Sequence, residues 1–218
     1  MRRILLLSLA VPFLLASKAA AQACAGMPSF SSGPMQIAAG GSFADGVSSF
    51  GGTFGYGTPK SFYGKAGIGS TSYDGLDGSS FDLALGGGYQ IPLRTARKAE
   101  FCPVANLSFG SGPDDIGGLG VDMSSRTFSF GGAIGAMVGQ NPSMDIIPNA
   151  SFQFANTRLS MDDGTDSVSG SESYALLTLG TGFVFNERYS LNPSLSIPMG
   201  SDAYDVSFGI MGAINFGR

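Results

Sequence analysis

The stretch from Tyr204 to Phe216, YDVSFGIMGAINF, alternates between two chemical classes at almost every step. Successive side chains on a β-strand point to opposite faces, so alternate residues of this stretch would share one face. The even-numbered face is apolar and reads Tyr204, Val206, Phe208, Ile210, Gly212, Ile214 and Phe216. The odd-numbered face is mostly small or polar and reads Asp205, Ser207, Gly209, Met211, Ala213 and Asn215. The stretch therefore predicts a strand with two chemically different faces.

The same alternation recurs about ten times between turn signals, from Met35 onward. Most of these stretches reach the ~9–11 residues that a tilted transmembrane strand requires. We therefore predict an all-β fold, a closed antiparallel up-and-down transmembrane β-barrel of about ten strands. Eight strands with longer loops would also suit the length, and a soluble secreted β-sandwich is the alternative outside a membrane.

The start of the chain has the three parts of an export signal. Arg2 and Arg3 precede an apolar run at 4–16, and Ala21-Gln22-Ala23 supplies a small-x-small cleavage site. The run is shorter than the ~20 residues of a membrane-spanning helix, which argues against an uncleaved anchor. The predicted organisation is a signal peptide at 1–23, a periplasmic N-terminal tail at 24–33 and a barrel domain at 34–218.

Composition excludes several classes of function. Removal of Arg2, Arg3 and Lys18 with the signal leaves nine basic residues against sixteen acidic ones, which disfavours a nucleic-acid partner. The chain has no histidine, so it lacks the usual general base and a common metal ligand. We therefore expect no enzyme activity, no cofactor and no metal site. A divalent-cation site at the acidic cluster Asp162–Asp166 is the one alternative to this expectation.

Cys24 and Cys102 are the two cysteines of the chain. In the predicted topology both lie on the periplasmic side, where thiols are oxidised, so a disulfide between them is expected. It would tie the N-terminal tail to the barrel rim. The alternatives are a lipidated Cys24, although Ala21 stands where that motif prefers Leu, and two free thiols.

The signal peptide, the repeated amphipathic strands, the Gly-rich strand centres and the aromatic-rich last strand resemble small bacterial outer-membrane β-barrel proteins. The groups in question are opacity-protein-like and porin-like barrels with an OmpA-type transmembrane domain. The resemblance implies residence in the Gram-negative outer membrane, contact with lipid and lipopolysaccharide, and recognition of Ile214 and Phe216 by the insertion machinery. It also implies interfacial aromatic girdles, for which this chain would use Phe and Tyr56, Tyr89, Tyr174 and Tyr204, because it has no Trp.

Connection lengths and inward-facing residues complete the prediction. The connections after the third, fifth and seventh strands are long and acidic, and with periplasmic termini they would all lie outside the cell. The lumen would be walled by small residues and by the polar candidates Lys65, Asp82, Asn106, Asn149, Gln153 and Asp205. We therefore predict a narrow, passive, porin-like channel for small solutes, with Asp82 and Asp205 favouring cations. A non-conducting structural or adhesin-like barrel is the alternative, and a monomer is favoured.

Overall fold

A computed structural model of the chain describes residues 23–30, 33–58, 62–75, 78–93, 99–112, 122–141, 143–162, 164, 166–201 and 204–217. Residues 1–22 of the predicted signal peptide lie outside these ranges. Within them, no helix combines the length and the apolar character needed to cross a membrane.

The fold is one antiparallel sheet that closes on itself. Each long strand pairs with its neighbours in the chain, and the first strand pairs with the last, from Met35 opposite Phe216 to Phe43 opposite Phe208. Ten full-length strands form the ring, so the predicted ten-stranded barrel is confirmed and the eight-stranded alternative is wrong. The strands are β1 (Met35–Ala44), β2 (Val47–Gly57), β3 (Phe62–Tyr73), β4 (Ser79–Tyr89), the short β5 (Ile91–Pro92), β6 (Glu100–Ser111), β7 (Asp122–Gly135), the short β8 (Gly139–Asn141), β9 (Met144–Asp162), β10 (Ser167–Phe185), β11 (Tyr189–Met199) and β12 (Ser207–Phe216).

The barrel has two different ends. At the end that we call the turn end lie Met35, Phe216 and the connections at 58–61, 90–99, 136–143 and 186–188. At the opposite end, the loop end, lie the connections at 45–46, 74–78, 112–121, 163–166 and 200–206. The two ends correspond to the periplasmic and the extracellular side of the predicted topology.

The outer wall carries a continuous apolar band. On β9 the outward residues run from Met144 to Phe154, and at the usual strand rise and tilt this stretch is about 25 Å tall, which matches the band of transmembrane barrels. The other strands present large apolar side chains at the same level, and these remain exposed to solvent: Phe54, Ile68, Leu85, Phe130 and Ile210. The apolar faces therefore point outward, and among the described residues the sheet encloses no apolar core of the sandwich type.

The structure corrects three details of the prediction. The acidic stretch around Asp162 and Glu172 is a hairpin rather than a long loop, because β9 and β10 pair in register up to Asp162 opposite Ser167. The last strand begins at Ser207 rather than Tyr204. Tyr174 shares the inward face of β10, where its ring contacts that of Tyr204 at 4.6 Å between centroids, so it does not belong to an outer girdle.

Arginine substitutions on two adjacent residues of β4 test the orientation of the wall. Leu85 faces outward near the middle of the band and Ala84 faces inward, so Leu85→Arg should lower the free energy of unfolding by about 2–4 kcal/mol. Ala84→Arg should cost less, because its charge would reach water in the lumen. Urea unfolding in phosphatidylcholine vesicles measures both, and equal losses would contradict the assignment of the two faces.

Candidate functional site

The barrel interior holds a cavity of about 340 Å³ toward the loop end. Its inner wall is built from glycine, alanine, serine and threonine, because the inward positions of the strands carry these residue types. The inward residues include Ala38, Gly40, Ser49, Thr53, Gly67, Gly69, Ala84, Ser194, Ser196 and Gly209. Small side chains leave the middle of the barrel open, whereas large ones would fill a ring of this size.

Asp82 stands in the wall of this cavity and is held by hydroxyl groups. Thr71 Oγ1 donates a hydrogen bond to Asp82 Oδ2 at 3.0 Å, and Ser49 Oγ lies 2.9 Å from Thr71 Oγ1. The chain of three side chains crosses β2, β3 and β4 on their inner faces. It places one hydrogen-bonded carboxylate near the loop end of the lumen.

A second polar cluster lies deeper, at the level of Asn106. Asn106 Nδ2 donates to Gln153 Oε1 at 2.9 Å and to Ser129 Oγ at 3.3 Å, and Ser129 Oγ donates to Gln153 Oε1 at 3.1 Å. Lys65 reaches the same level, since a side chain at Gly86 would meet both the Lys65 stem and the Asn106 amide. Lys65 remains exposed although its strand face points inward, so water-sized space surrounds it.

The turn end of the lumen is occupied by residues 23–30, which we call the plug segment. Ala23, Cys24, Gly26, Pro28, Ser29 and Phe30 are all buried. The segment begins as a short 3-10 turn against β6, β7 and β9 and ends with Phe30 beside Tyr63 of β3, at 6.0 Å between ring centroids. It therefore crosses the lumen from one wall to the opposite one. The sequence indicated a periplasmic tail here and gave no sign that the tail enters the barrel.

Two inward asparagines hold the plug segment by its carbonyl groups. Asn192 Nδ2 donates to the carbonyl of Ala25 at 2.8 Å, and Asn215 Nδ2 donates to that of Ser29 at 2.8 Å. Gln36 Nε2 in turn donates to Asn215 Oδ1 at 2.8 Å, which fixes the orientation of that amide. These bonds satisfy backbone carbonyls that have been removed from water.

Glycines of the wall make room for the plug segment. A Cβ at Gly135 would collide with the carbonyl of Ala23, and a Cβ at Gly182 would collide with the backbone of Gly26. The positions are on β7 and β10, where the plug segment lies directly on the strands. Glycine at these two places is therefore a packing requirement of the plugged lumen.

A disulfide fixes the start of the plug segment. Cys24 and Cys102 are joined, with their Cα atoms 6.0 Å apart, and both are buried. The predicted disulfide is thus present, and neither free thiols nor a lipidated Cys24 agrees with it. Beside it, the buried carboxylate of Glu100 accepts a hydrogen bond from the Ala23 N–H at 3.0 Å.

Ala23 itself is packed among Met137, Ile147 and Val184. Cleavage before Ala23 would keep these contacts, whereas the predicted cleavage after it would remove them. If the predicted signal peptide is removed, the mass of the N-terminal peptide of the remaining chain distinguishes the two sites.

Two further sequence candidates lie in different places. Asn149 faces the plug segment, with Asn149 Nδ2 donating to the Ile147 carbonyl at 3.2 Å, and a side chain at Gly26 would collide with its amide. Asp205 is exposed in the connection before β12 and outside the sheet, so the structure does not place it in the lumen wall. In the acidic cluster, Asp162 Oδ1 accepts a hydrogen bond from Gly164 N–H, and Asp163 lies outside the described residues.

Solved structures of similar shape are bacterial β-barrels. The β-domain of the Bordetella autotransporter BrkA matches with a TM-score of 0.52 at 10% identity, over 84% of this chain and 99% of that one. The N-terminal β-barrel domain of Pseudomonas aeruginosa OprF gives 0.42 at 14% identity, over 84% and 96% of the two chains. Ail, the attachment invasion locus protein of Yersinia pestis, gives 0.38 at 13%, over 83% and 93%.

No protein-family model matches the sequence, and no curated protein matches it. At these identities the BrkA match establishes the fold alone. The fold is a closed antiparallel β-barrel, as the pattern of the sequence predicted.

Removal of the disulfide should loosen the plug segment. For a double variant, Cys24→Ala with Cys102→Ala, we expect the free energy of unfolding to fall by roughly 4 kcal/mol, because the bond closes a loop with a sequence separation of 78. Hydrogen exchange should accelerate at residues 24–30 while the strands stay protected. Unchanged exchange in this segment would show that its other contacts suffice to hold it.

Proposed function

We propose that the protein resides in the outer membrane of a Gram-negative bacterium and is a narrow, passive channel for small solutes, with the plug segment as its constriction. The loop end, where the long β9–β10 hairpin extends beyond the apolar band, faces the cell exterior, and the turn end faces the periplasm. The apolar band contacts lipid. The last strand, with its outward Ile214 and Phe216, is the segment that the insertion machinery recognises.

The observation that carries the channel proposal is the open, small-walled lumen above the plug segment. A barrel that served only as a membrane anchor could fill its interior with large side chains, as small barrels do. Here the cavity begins near Asp82, and Lys65 deeper in the lumen still has water-sized space around it. Solutes of a few heavy atoms fit in a cavity of this volume.

The plug segment sets the conductance of this channel. In the described conformation it occupies the turn end of the lumen, so it narrows the path that ions must take. Because it is held by the disulfide, two asparagines and close backbone contacts, we expect the resting protein to conduct weakly. The proposal is therefore a channel of low open probability rather than a permanently open porin.

A second candidate is a non-conducting surface-interaction barrel, and the β9–β10 hairpin favours it. Beyond the apolar band the outward residues of β10 are all serine, at positions 167, 169, 171 and 173. This polar ribbon stands above the membrane and offers hydroxyl groups to a partner. A surface-interaction barrel of this kind would not require a conducting lumen.

Single-channel recording in planar bilayers tests the first candidate. Gly182→Leu should displace the plug segment from β10 and raise the open probability, as should the double cysteine-to-alanine variant, which remains informative where the leucine variant fails to fold. Gly170→Leu is the matched control, because it lies on the same strand and nothing lies within 4 Å of a Cβ at this position. Electrical silence of all four proteins, wild type included, would favour the surface-interaction barrel.

Charge selectivity should depend on Lys65, because its ammonium group stands in the lumen. Lys65→Gln should shift the reversal potential in a KCl gradient toward cation preference. Arg188→Gln, which removes the same charge from the turn between β10 and β11, should leave the potential unchanged. Equal shifts in the two variants would argue for a surface-charge effect rather than a lumen effect.

A further inference from the structure

Two arginines face each other on the outside of the barrel, just above the apolar band. Arg126 on β7 and Arg158 on β9 are register partners. Both occupy outward positions, since each follows the alternation set by the outward aromatics Phe128 and Phe154. Like charges placed directly opposite each other on neighbouring strands destabilise a sheet unless another group compensates them.

No carboxylate of the described residues pairs with either arginine. Arg126 lies over the ring of Phe109 at 5.3 Å, and Arg158 Nη2 donates to Ser169 Oγ at 3.1 Å. Within the described part of the chain neither guanidinium forms an ion pair. The outward carboxylates of these strands, Asp122 and Asp162, are four residues farther along, about 13 Å at the usual strand rise.

A polar cleft of about 370 Å³ is lined by both arginines. Its lining is basic and hydroxylated, and it consists of Phe109, Gly110, Ser124, Ser125, Arg126, Arg158 and Ser160. Such a cleft has hydrogen-bond donors and positive charge but no carboxylate in its lining. Its chemistry therefore fits an oxyanion, for which paired guanidinium groups are the strongest protein donors.

Below the cleft the surface is aromatic. Phe128 and Phe130 lie 5.9 Å apart between ring centroids, Phe130 and Phe154 lie 6.0 Å apart, and Phe154 contacts Phe152 at 5.1 Å. The four rings cover the outer face of β7 and β9 at the upper edge of the band. An anion seated at the arginines would thus have an apolar surface directly beneath it, on the lipid side.

We propose that Arg126 and Arg158 bind the phosphate group of a lipid headgroup in the outer leaflet, with its acyl chains lying along the four phenylalanines. The two guanidinium groups donate to the phosphate oxygens, and Ser124 and Ser160 supply further hydroxyl donors. The bound phosphate compensates the opposed positive charges. This inference rests on the membrane placement of the proposed function and is independent of conduction.

Lipid retention measured by native mass spectrometry tests the site. The full-length mature protein, refolded in detergent, is incubated with a phosphorylated glycolipid of the lipid A type, and separately with the dephosphorylated form. The double variant, Arg126→Gln with Arg158→Gln, should retain the phosphorylated lipid roughly tenfold less than wild type, because charge-assisted hydrogen bonds are lost. Arg188→Gln, which removes one positive charge at the turn end, should retain it like wild type. Heat-modifiable gel mobility confirms that each variant is folded.

Three results would overturn the assignment: equal retention by the double variant, an equal loss in Arg188→Gln, or equal retention of the dephosphorylated lipid. An excess of inorganic phosphate distinguishes the two sources of this anion. If it displaces the lipid completely at millimolar concentration, the cleft is a small-anion site and the lipid assignment fails. Insertion into phosphatidylcholine vesicles is scored separately, so failure to insert refutes the membrane placement, while insertion with unchanged retention refutes only this inference.

Discussion

The pairing of β1 with β12 is the constraint on which the rest of the structure depends. An open sheet of these sequences would present two edges of unpaired N–H and C=O groups inside an apolar band, at a cost of several kcal/mol for each group left without a partner in lipid. Closure removes both edges, and it also decides which residues share the lumen. The inward asparagine of β12 and the inward glutamine of β1 become neighbours only because the ring is complete.

The closed ring explains why inward residues are small. Ten strands enclose more space than eight, and the chain does not fill that space with large side chains but with its own N-terminal segment. The glycines at 135 and 182 allow backbone to lie on backbone, and the amides of Asn192 and Asn215 replace the water that the segment has lost. The small inward residues thus have two effects. At the turn end they make room for the plug segment, and at the loop end they leave the lumen open.

The sequence predicts those features of the structure that follow from a local pattern of residues, and it misses those that depend on contacts between distant residues. Period-two alternation is a local signal, and it located ten strands and the direction of their faces from residues such as Phe208 and Ile210. The disulfide followed from the placement of two cysteines at one end.

The plug segment could not be predicted, because residues 23–30 have no periodicity and their burial depends on partners more than a hundred residues away. The sequence predicts a loop for the upper halves of β9 and β10, because their outward residues, such as Arg158 and Ser169, are polar. The apolar residues there, Leu159 and Val168, lie on the inward face, so the alternation set by Phe154 does not continue. Predicting that Arg126 and Arg158 face each other requires the register of β7 against β9, and the sequence of a single strand does not reveal that register.

The hydrogen bonds around Asn215 have a mechanical consequence. The junction between β1 and β12 is where the first and the last strand of the barrel pair. It is the place where the barrel would open laterally. Asn215 accepts from Gln36 across that junction while it donates to the carbonyls of Pro28 and Ser29. The plug segment therefore holds the β1–β12 junction together from inside the barrel. Any movement that withdraws the segment would also weaken this junction against lateral opening.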